Sequence, residues 1–246
     1  MCRHLGYLGP PRTLESLVFE GPYSLEVQSY APRMTQGNLL NADGFGVGWY
    51  HRGRAMRFRR AQPIWTDRSF REVAEAVEAS CAVAAIRSAT TRFPVDESCA
   101  QPFRAGGRLF SHNGKVADFD GVEGKLRELA GDLSHAPDAR APVDSALVFA
   151  LAARRWREGA ALGEGLADTV TAVAAISPGR YNLLAADGTA LAATTWGDSL
   201  FVRGGPGEVL ISSEPLDDDP AWRPVPDRSL VVVDRADLAG IRITPL

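Results

Sequence analysis

The spacing of apolar residues changes character twice along the chain. Residues 5–8 form a short apolar run that reads as a first strand, stopped by Gly9-Pro10-Pro11. Residues 45–51 form a second, with 55–60 as its hairpin partner, and 82–86 and 108–111 are further runs of buried-strand type. Between them, 13–19 reads as a short helix with Thr13 as N-cap, and 69–80 carries Phe70, Val73, Ala76 and Val77 at helical spacing. The middle of the chain is helical: 118–133, then 143–155 with Val143, Leu147 and Ala150-Leu151 on one face, then 160–176. From Tyr181 onward the pattern returns to short strands, at 182–185, 191–194, 200–202, 209–211, 230–233 and 241–243. Turns such as Asp187-Gly188 and Gly204-Gly205-Pro206-Gly207 separate them.

Strands, then helices, then strands again is the order expected of two sheets packed face to face and covered by helices. No segment repeats, and the loop-like stretch 131–142 is too short to mark a domain boundary, so residues 2–246 read as one domain. The remaining polar, turn-rich stretch is 36–43. The glycines of Asp43-Gly44-Phe45-Gly46-Val47-Gly48-Trp49 lack the strand–GxGxxG–helix setting of a dinucleotide site. They fit close backbone approach within a sheet better.

Composition narrows the function classes. At 246 residues and 45% hydrophobic, the chain can fill a substantial core. A net charge of −3 with mixed signs argues against a nucleic-acid or other polyanionic partner. No stretch is apolar enough to span a membrane, and the first residues lack the apolar core of a signal peptide. Cys2, Cys81 and Cys99 form neither a disulfide framework nor a paired metal motif, and His4, His51, His112 and His135 have no metal-ligand spacing. A cytoplasmic protein with reduced thiols, no metal and no cofactor is the expectation.

Cys2 is the most informative position. Methionine aminopeptidase removes Met1 ahead of small residues, which would leave a thiol and a free α-amine on one residue. That amine has an ordinary pKa of about 7.7–8.0, suited to a general base near neutral pH. The alternative is an incidental thiol beside an initiator methionine. In Phe110-Ser111-His112-Asn113-Gly114, a strand running into Asn-Gly can aim a side-chain amide and a backbone N–H at one point, as an oxyanion hole requires; Asn-Gly is equally the preferred two-residue hairpin turn. Arg87, followed by Ser88, Ala89 and Thr90, offers a planar fork for a carboxylate, with Thr90 as a further donor. An ordinary surface arginine is the competing reading. Asp144 opens a helix, where it is either a cap and dipole partner or an anion for a substrate ammonium. His112 either orients Asn113 or packs locally.

These motifs occur in one order: Met-Cys, DGFGVGWY, IRSATT, FSHNGKV, VDS. That order resembles the class II glutamine amidotransferases, a family of N-terminal-nucleophile hydrolases, over most of 2–150 and more loosely at Ile211-Ser212-Ser213-Glu214-Pro215-Leu216. The resemblance implies a four-layer αββα sandwich of two mainly antiparallel sheets, with Cys2 as nucleophile and Asn113 with the Gly114 N–H as oxyanion hole. It likewise implies that Arg87 and Thr90 bind the α-carboxylate, and Asp144 the α-ammonium, of a γ-glutamyl group. Ala146 stands where the family has an acid after Asp-Ser, and Ser88 where an aromatic residue often follows the arginine, which points to a divergent branch. The start Met-Cys-Arg-His-Leu, Trp196-Gly197-Asp198-Ser199-Leu200, and Ser213 to Asp217 with Trp222 soon after resemble a narrower group. These are the γ-glutamyl hydrolases of bacterial ergothioneine biosynthesis, which implies γ-glutamyl-hercynylcysteine sulfoxide as the small-molecule substrate. Trp49, Trp196 and Trp222 are candidate faces for its quaternary ammonium, or core residues. With no fused synthase domain evident, hydrolysis is expected over ammonia transfer in cis. A glutaminase subunit serving a separate synthase and an inactive γ-glutamyl-binding module are the alternatives.

Overall fold

The computed structural model describes residues 2–34, 40–90 and 92–246, so part of the polar stretch at 36–43, together with Met1 and Thr91, lies outside the described residues. The strands are β1 (Arg3–Thr13), β2 (Phe45–His51), β3 (Arg54–Arg60), β4 (Glu78–Ile86), β5 (Phe103–Ala105), β6 (Arg108–Val116), β7 (Gly179–Ala186), β8 (Ala190–Thr195), β9 (Phe201–Gly205), β10 (Glu208–Ser212), β11 (Trp222–Pro224), β12 (Ser229–Asp234) and β13 (Asp237–Pro245). The helices are α1 (Leu14–Val18), α2 (Leu25–Tyr30), α3 (Arg68–Ala76), α4 (Phe119–Ala130), α5 (Asp144–Arg157) and α6 (Leu162–Ala174). One sheet has seven strands in the order β11-β9-β10-β1-β4-β2-β3, and the other six in the order β13-β12-β8-β7-β6-β5. All their pairings are antiparallel.

The period-two alternation of each strand sorts its side chains into three apolar layers. Leu5, Tyr7, Phe45, Val47, Ala82, Ala84 and Leu210 face outward from the seven-stranded sheet against α1, α2 and α3. Phe110, Val116, Tyr181, Leu183 and Ala185 face outward from the six-stranded sheet against α4, α5 and α6. The alternate positions, among them Leu8, Val83, Leu109, Leu184, Leu191, Val209 and Val231, fill the space between the sheets. The expected αββα sandwich of two antiparallel sheets is therefore the observed fold.

Four local expectations change. The helix expected over 69–80 ends at Ala76, because residues 78 and 79 pair with Thr13 and Arg12, and sheet pairing overrides local helical spacing there. The first strand does not stop at Gly9-Pro10-Pro11: its register shifts between Leu8 and Arg12 and it continues to Thr13. The helix expected over 118–133 closes at Ala130, where Gly131 takes a φ of 59°, and 3-10 turns follow at Gly131–His135 and Pro137–Arg140. Finally, the strand expected at 108–111 runs on to Val116, which carries Asn113-Gly114 into the middle of a ladder opposite Asn182 and Tyr181. The hairpin-turn reading of Asn-Gly is thereby ruled out.

The glycines of β2 do permit close approach. A Cβ on Gly46 would run into the carbonyl oxygen of Gln101 and lie 2.8 Å from that of Phe58, both backbone atoms that cannot rotate aside. On Gly48 it would lie 2.8 Å from Leu109 and Pro102 side chains. Gly46→Ala is expected to lower stability by about 1–3 kcal/mol through overpacking, read as a reduced urea midpoint with an unchanged slope.

Candidate active site

Strand alternation explains how the chain gathers its polar residues at one end of the sandwich. In β1, Leu5 and Tyr7 face the helices, so His4 faces the gap between the sheets, and Cys2 continues that alternation. In β4, Cys81 and Val83 fill the gap, which puts Arg87 on the same inner side one step past the strand end. In β6, Leu109 faces inward, and so do Ser111 and Asn113. Thus the apolar filling gives way to a polar seam where the ends of β1, β4, β6 and β10 meet.

Hydrogen bonds across the seam fix the distances. Cys2 Sγ lies 3.8 Å from the carbonyl oxygen of Ser88, immediately after Arg87. The Ser213 hydroxyl accepts from the backbone N–H of His4 at 3.0 Å and from Asn113 Nδ2 at 3.3 Å, joining the nucleophile's strand to the facing sheet. The Ser213 N–H in turn donates to the His4 carbonyl at 3.0 Å. Asn113 Nδ2 uses one of its two protons on Ser213, and its Oδ1 is buried without a protein partner. At position 114 any Cβ would collide with the Arg180 carbonyl and the His112 ring, so only glycine fits.

Arg87 is 4% exposed, which removes the surface-arginine reading. Its Nη1 donates to the carbonyl oxygens of Pro94 at 2.9 Å and Asp43 at 3.4 Å, whereas its buried Nη2 has no partner among the described residues. An unpartnered nitrogen on a buried cation is a ready site for a carboxylate oxygen. Thr90 lies three residues on, its carbonyl accepting from Phe93 N–H at 2.8 Å. Asp144 opens α5 and is buried; Oδ2 accepts from the Val116 N–H at 2.9 Å and Oδ1 from the Ser145 N–H at 2.8 Å. Each oxygen keeps a lone pair, and Val116 is two residues from Gly114.

One histidine lies in the seam, His4, and a second, His112, backs it from the helix-facing side of β6. His112 Nε2 sits 2.9 Å from the Arg180 carbonyl, which can only accept, so Nε2 carries the proton and Nδ1 accepts from the Ser145 hydroxyl at 2.9 Å. Its ring thus locks β6 to β7 and to α5, with Asn113 on the opposite face. His4 Nδ1 lies 3.3 Å from the Ser111 hydroxyl. Burial pushes the His4 pKa down to about 3, with the nearby His112 and Arg3 adding to the effect, and burial lowers that of His112 too.

Several supporting residues carry no sequence signal. Arg3 and Glu214, 211 positions apart, form a fully buried pair at 2.7 Å. Arg3 also donates to the Cys2 carbonyl and to that of Met34, each at 3.0 Å, and the other Glu214 oxygen accepts from the Arg33 N–H at 2.7 Å. Gln101 bonds both backbone groups of His112, at 2.5 and 3.1 Å. Only the membership of Arg3 and Glu214 in recognisable motifs hinted at any of this. Among the tryptophans, Trp49 and Trp222 pack with the α1–α3 layer, away from the seam, and Trp196 lies beneath the Arg228 guanidinium at 4.7 Å. Among the described residues, no group of three or more His, Cys, Asp or Glu could hold a metal, and no helix is long and apolar enough to cross a membrane.

A cysteine at the head of a central strand of an αββα sandwich, facing an Asn-Gly pair on the opposite sheet, matches the arrangement of an N-terminal-nucleophile hydrolase. The family model for class II glutamine amidotransferases matches residues 14–207, and the chain belongs to that family. It is 44% identical over its whole length to the full γ-glutamyl-hercynylcysteine sulfoxide hydrolase of Mycolicibacterium smegmatis. It is 42% identical, again over its whole length and 97% of the relative, to the enzyme of that name from Mycobacterium tuberculosis. In fold it matches a glutamine aminotransferase class-II domain protein from Silicibacter pomeroyi, with a TM-score of 0.70 at 20% identity over 99% of both chains. It also matches glutamine phosphoribosylpyrophosphate amidotransferase from B. subtilis, with a TM-score of 0.71 at 16% identity over 99% of this chain and 49% of that one.

The neutral histidines link stability to pH. The folded pKa of His4 lies below its unfolded value of about 6.5, so in the window from about 6.5 down to about 3 the unfolded chain binds the extra proton. His4 is therefore expected to cost about 1.4 kcal/mol of stability per pH unit below 6.5. Urea midpoints at pH 7 and 5 measure this, and His4→Asn should show a shallower difference than the wild type.

Proposed function

We propose that the chain is a γ-glutamyl amidohydrolase whose substrate is γ-glutamyl-hercynylcysteine sulfoxide, cleaved to glutamate and hercynylcysteine sulfoxide. The observation that carries this reading is full-length identity of 42–44% to hydrolases of that name. It is supported by a seam that offers one group for each chemical task. Buried unpaired thiols at Cys81 and Cys99 fit a reducing, cytoplasmic setting.

Removal of Met1 frees the Cys2 α-amine, which accepts the thiol proton directly or through a water. The sulfur attacks the γ-carbonyl carbon, and the oxygen that becomes negative is met by Asn113 Nδ2 and the Gly114 N–H. The ammonium then protonates the leaving nitrogen as the C–N bond breaks, leaving a γ-glutamyl thioester. Water, deprotonated by the same amine, hydrolyses the thioester and restores the thiol. Throughout, Arg87 and Thr90 hold the α-carboxylate and Asp144 the α-ammonium, which fixes the γ-carbon over Cys2.

Intact-mass measurement of cell-derived active enzyme should show loss of Met1, and Cys2→Ala should abolish turnover while still binding substrate. Retained Met1 in fully active protein would refute the mechanism. Asn113→Ala should lower kcat by about 10²–10³ with little change in KM, as expected for a donor used mainly in the transition state; rapid-quench turnover assays separate the two constants.

A further inference from the structure

The mechanism above uses the glutamyl half of the substrate and leaves the other side of the scissile bond without a protein partner. One inward-facing residue pair beyond Asn113 and Asn182, about 6.8 Å further along the ladder, the register sets Lys115 opposite Arg180. Tyr181 faces the helices, so Arg180 faces the gap, on the same side as Asn113. Its backbone is fixed against the oxyanion residue: its carbonyl accepts from His112 and lies where a Cβ on Gly114 would be.

The Arg180 side chain is anchored but not satisfied. Nε donates to Asp198 Oδ2 at 3.0 Å, and among the described residues neither terminal nitrogen makes a hydrogen bond. Arg180 is 36% exposed, whereas Asp198 is 4% exposed. Asp198 lies close enough to Arg3 for that charge to act on it, which places the pair beside the strand that follows Cys2. The stem rests on Gly197, where a Cβ would come within 3.1 Å of Arg180 Cγ and where φ is +89°. That loop is pinned in turn: Asn182 bonds to the backbone of Trp196, Asp198 and Ser199 at 2.8, 2.9 and 3.1 Å, and the Gly197 N–H donates to Asp227 at 2.8 Å. Arg180 and Lys115 thus share this inner face, and the Arg180 guanidinium fork is left free of hydrogen-bond partners among the described residues.

We propose that Arg180, steadied by Asp198 and Gly197, binds the carboxylate borne by the leaving amino acid and so selects γ-glutamyl amides of amino acids over glutamine. In such a substrate the carbon attached to the leaving nitrogen carries a carboxylate, close to the bond that breaks. With Nε tied to Asp198, the two terminal nitrogens are left to meet that carboxylate end-on. Glutamine releases only ammonia and gives the fork nothing to hold. This inference rests on the γ-glutamyl amidohydrolase reading.

The test compares kcat/KM for the S-methyl sulfoxide of γ-glutamylcysteine with that for its cysteine-carboxamide analogue, and with glutamine, in the wild type, Arg180→Ala and Arg180→Lys. The wild type should prefer the acid to the carboxamide, and Arg180→Ala should reduce that preference by about 10- to 100-fold. Arg180→Lys should recover part of it, because the charge returns without the fork. No acid preference in the wild type, or acid and carboxamide falling in parallel in Arg180→Ala, would overturn the assignment while leaving the amidohydrolase reading intact. A wild type that cleaves none of the three substrates would refute that reading and this inference with it.

Discussion

The geometry of the nucleophile depends on one buried ion pair. Taking Arg3 and Glu214 out of water costs several kcal/mol per charge, and such a pair is tolerated only when its remaining hydrogen-bonding positions are also filled. Here they are. Arg3 spends its other donors on the carbonyls of Cys2 and Met34, and Glu214 receives the Arg33 N–H. The pair thus converts a chain end, which would ordinarily fray, into a fixed point tied to residues more than 200 positions away. Loss of either partner would strand a charge among apolar side chains and release the Cys2 carbonyl at the same time.

The same economy governs the rest of the seam. A buried histidine could be charged or neutral, and burial decides for neutral, so His4 between the sheets and His112 beneath α5 serve as hydrogen-bonding spacers and not as proton carriers. In the proposed mechanism the general base is the α-amine of Cys2. Of the buried side-chain polar atoms without a partner among the described residues, two, Arg87 Nη2 and Asn113 Oδ1, belong to residues proposed to touch substrate.

Much of the fold was legible because it rests on periodicity: β2, β3, α5 and α6 follow their apolar spacing closely, whereas the longest strands, β1, β4, β6 and β13, run beyond the apolar runs that marked them. What escaped was short or set by distant pairing. The six residues of α2 and the three each of β5 and β11 are too brief for a period to emerge, and residues 78–80 join β4 because β1 needs a partner there. The site was legible only in part. Cys2, Arg87, Asn113-Gly114 and Asp144 stand out as residue types in a recognisable order, and the structure brings Cys2, Arg87 and Asn113 to one polar seam, with Asp144 bonded to the strand that carries Asn113. Arg3 and Ser213 sat inside recognisable motifs without a role, and Arg180 stood in none, since a buried arginine and a bridging serine look like any others until the strands are laid side by side.

Ser213 has a mechanical consequence. Its hydroxyl touches the backbone of one sheet and the Asn113 amide of the other, so Cys2 and Asn113, the proposed nucleophile and oxyanion donor, sit on opposite walls of the sandwich. The separation of those walls is set by the leucines and valines packed between them, far from any reacting atom. That apolar filling is therefore a gauge block for the chemistry: thin it, and the walls close on a substrate whose bond lengths do not change.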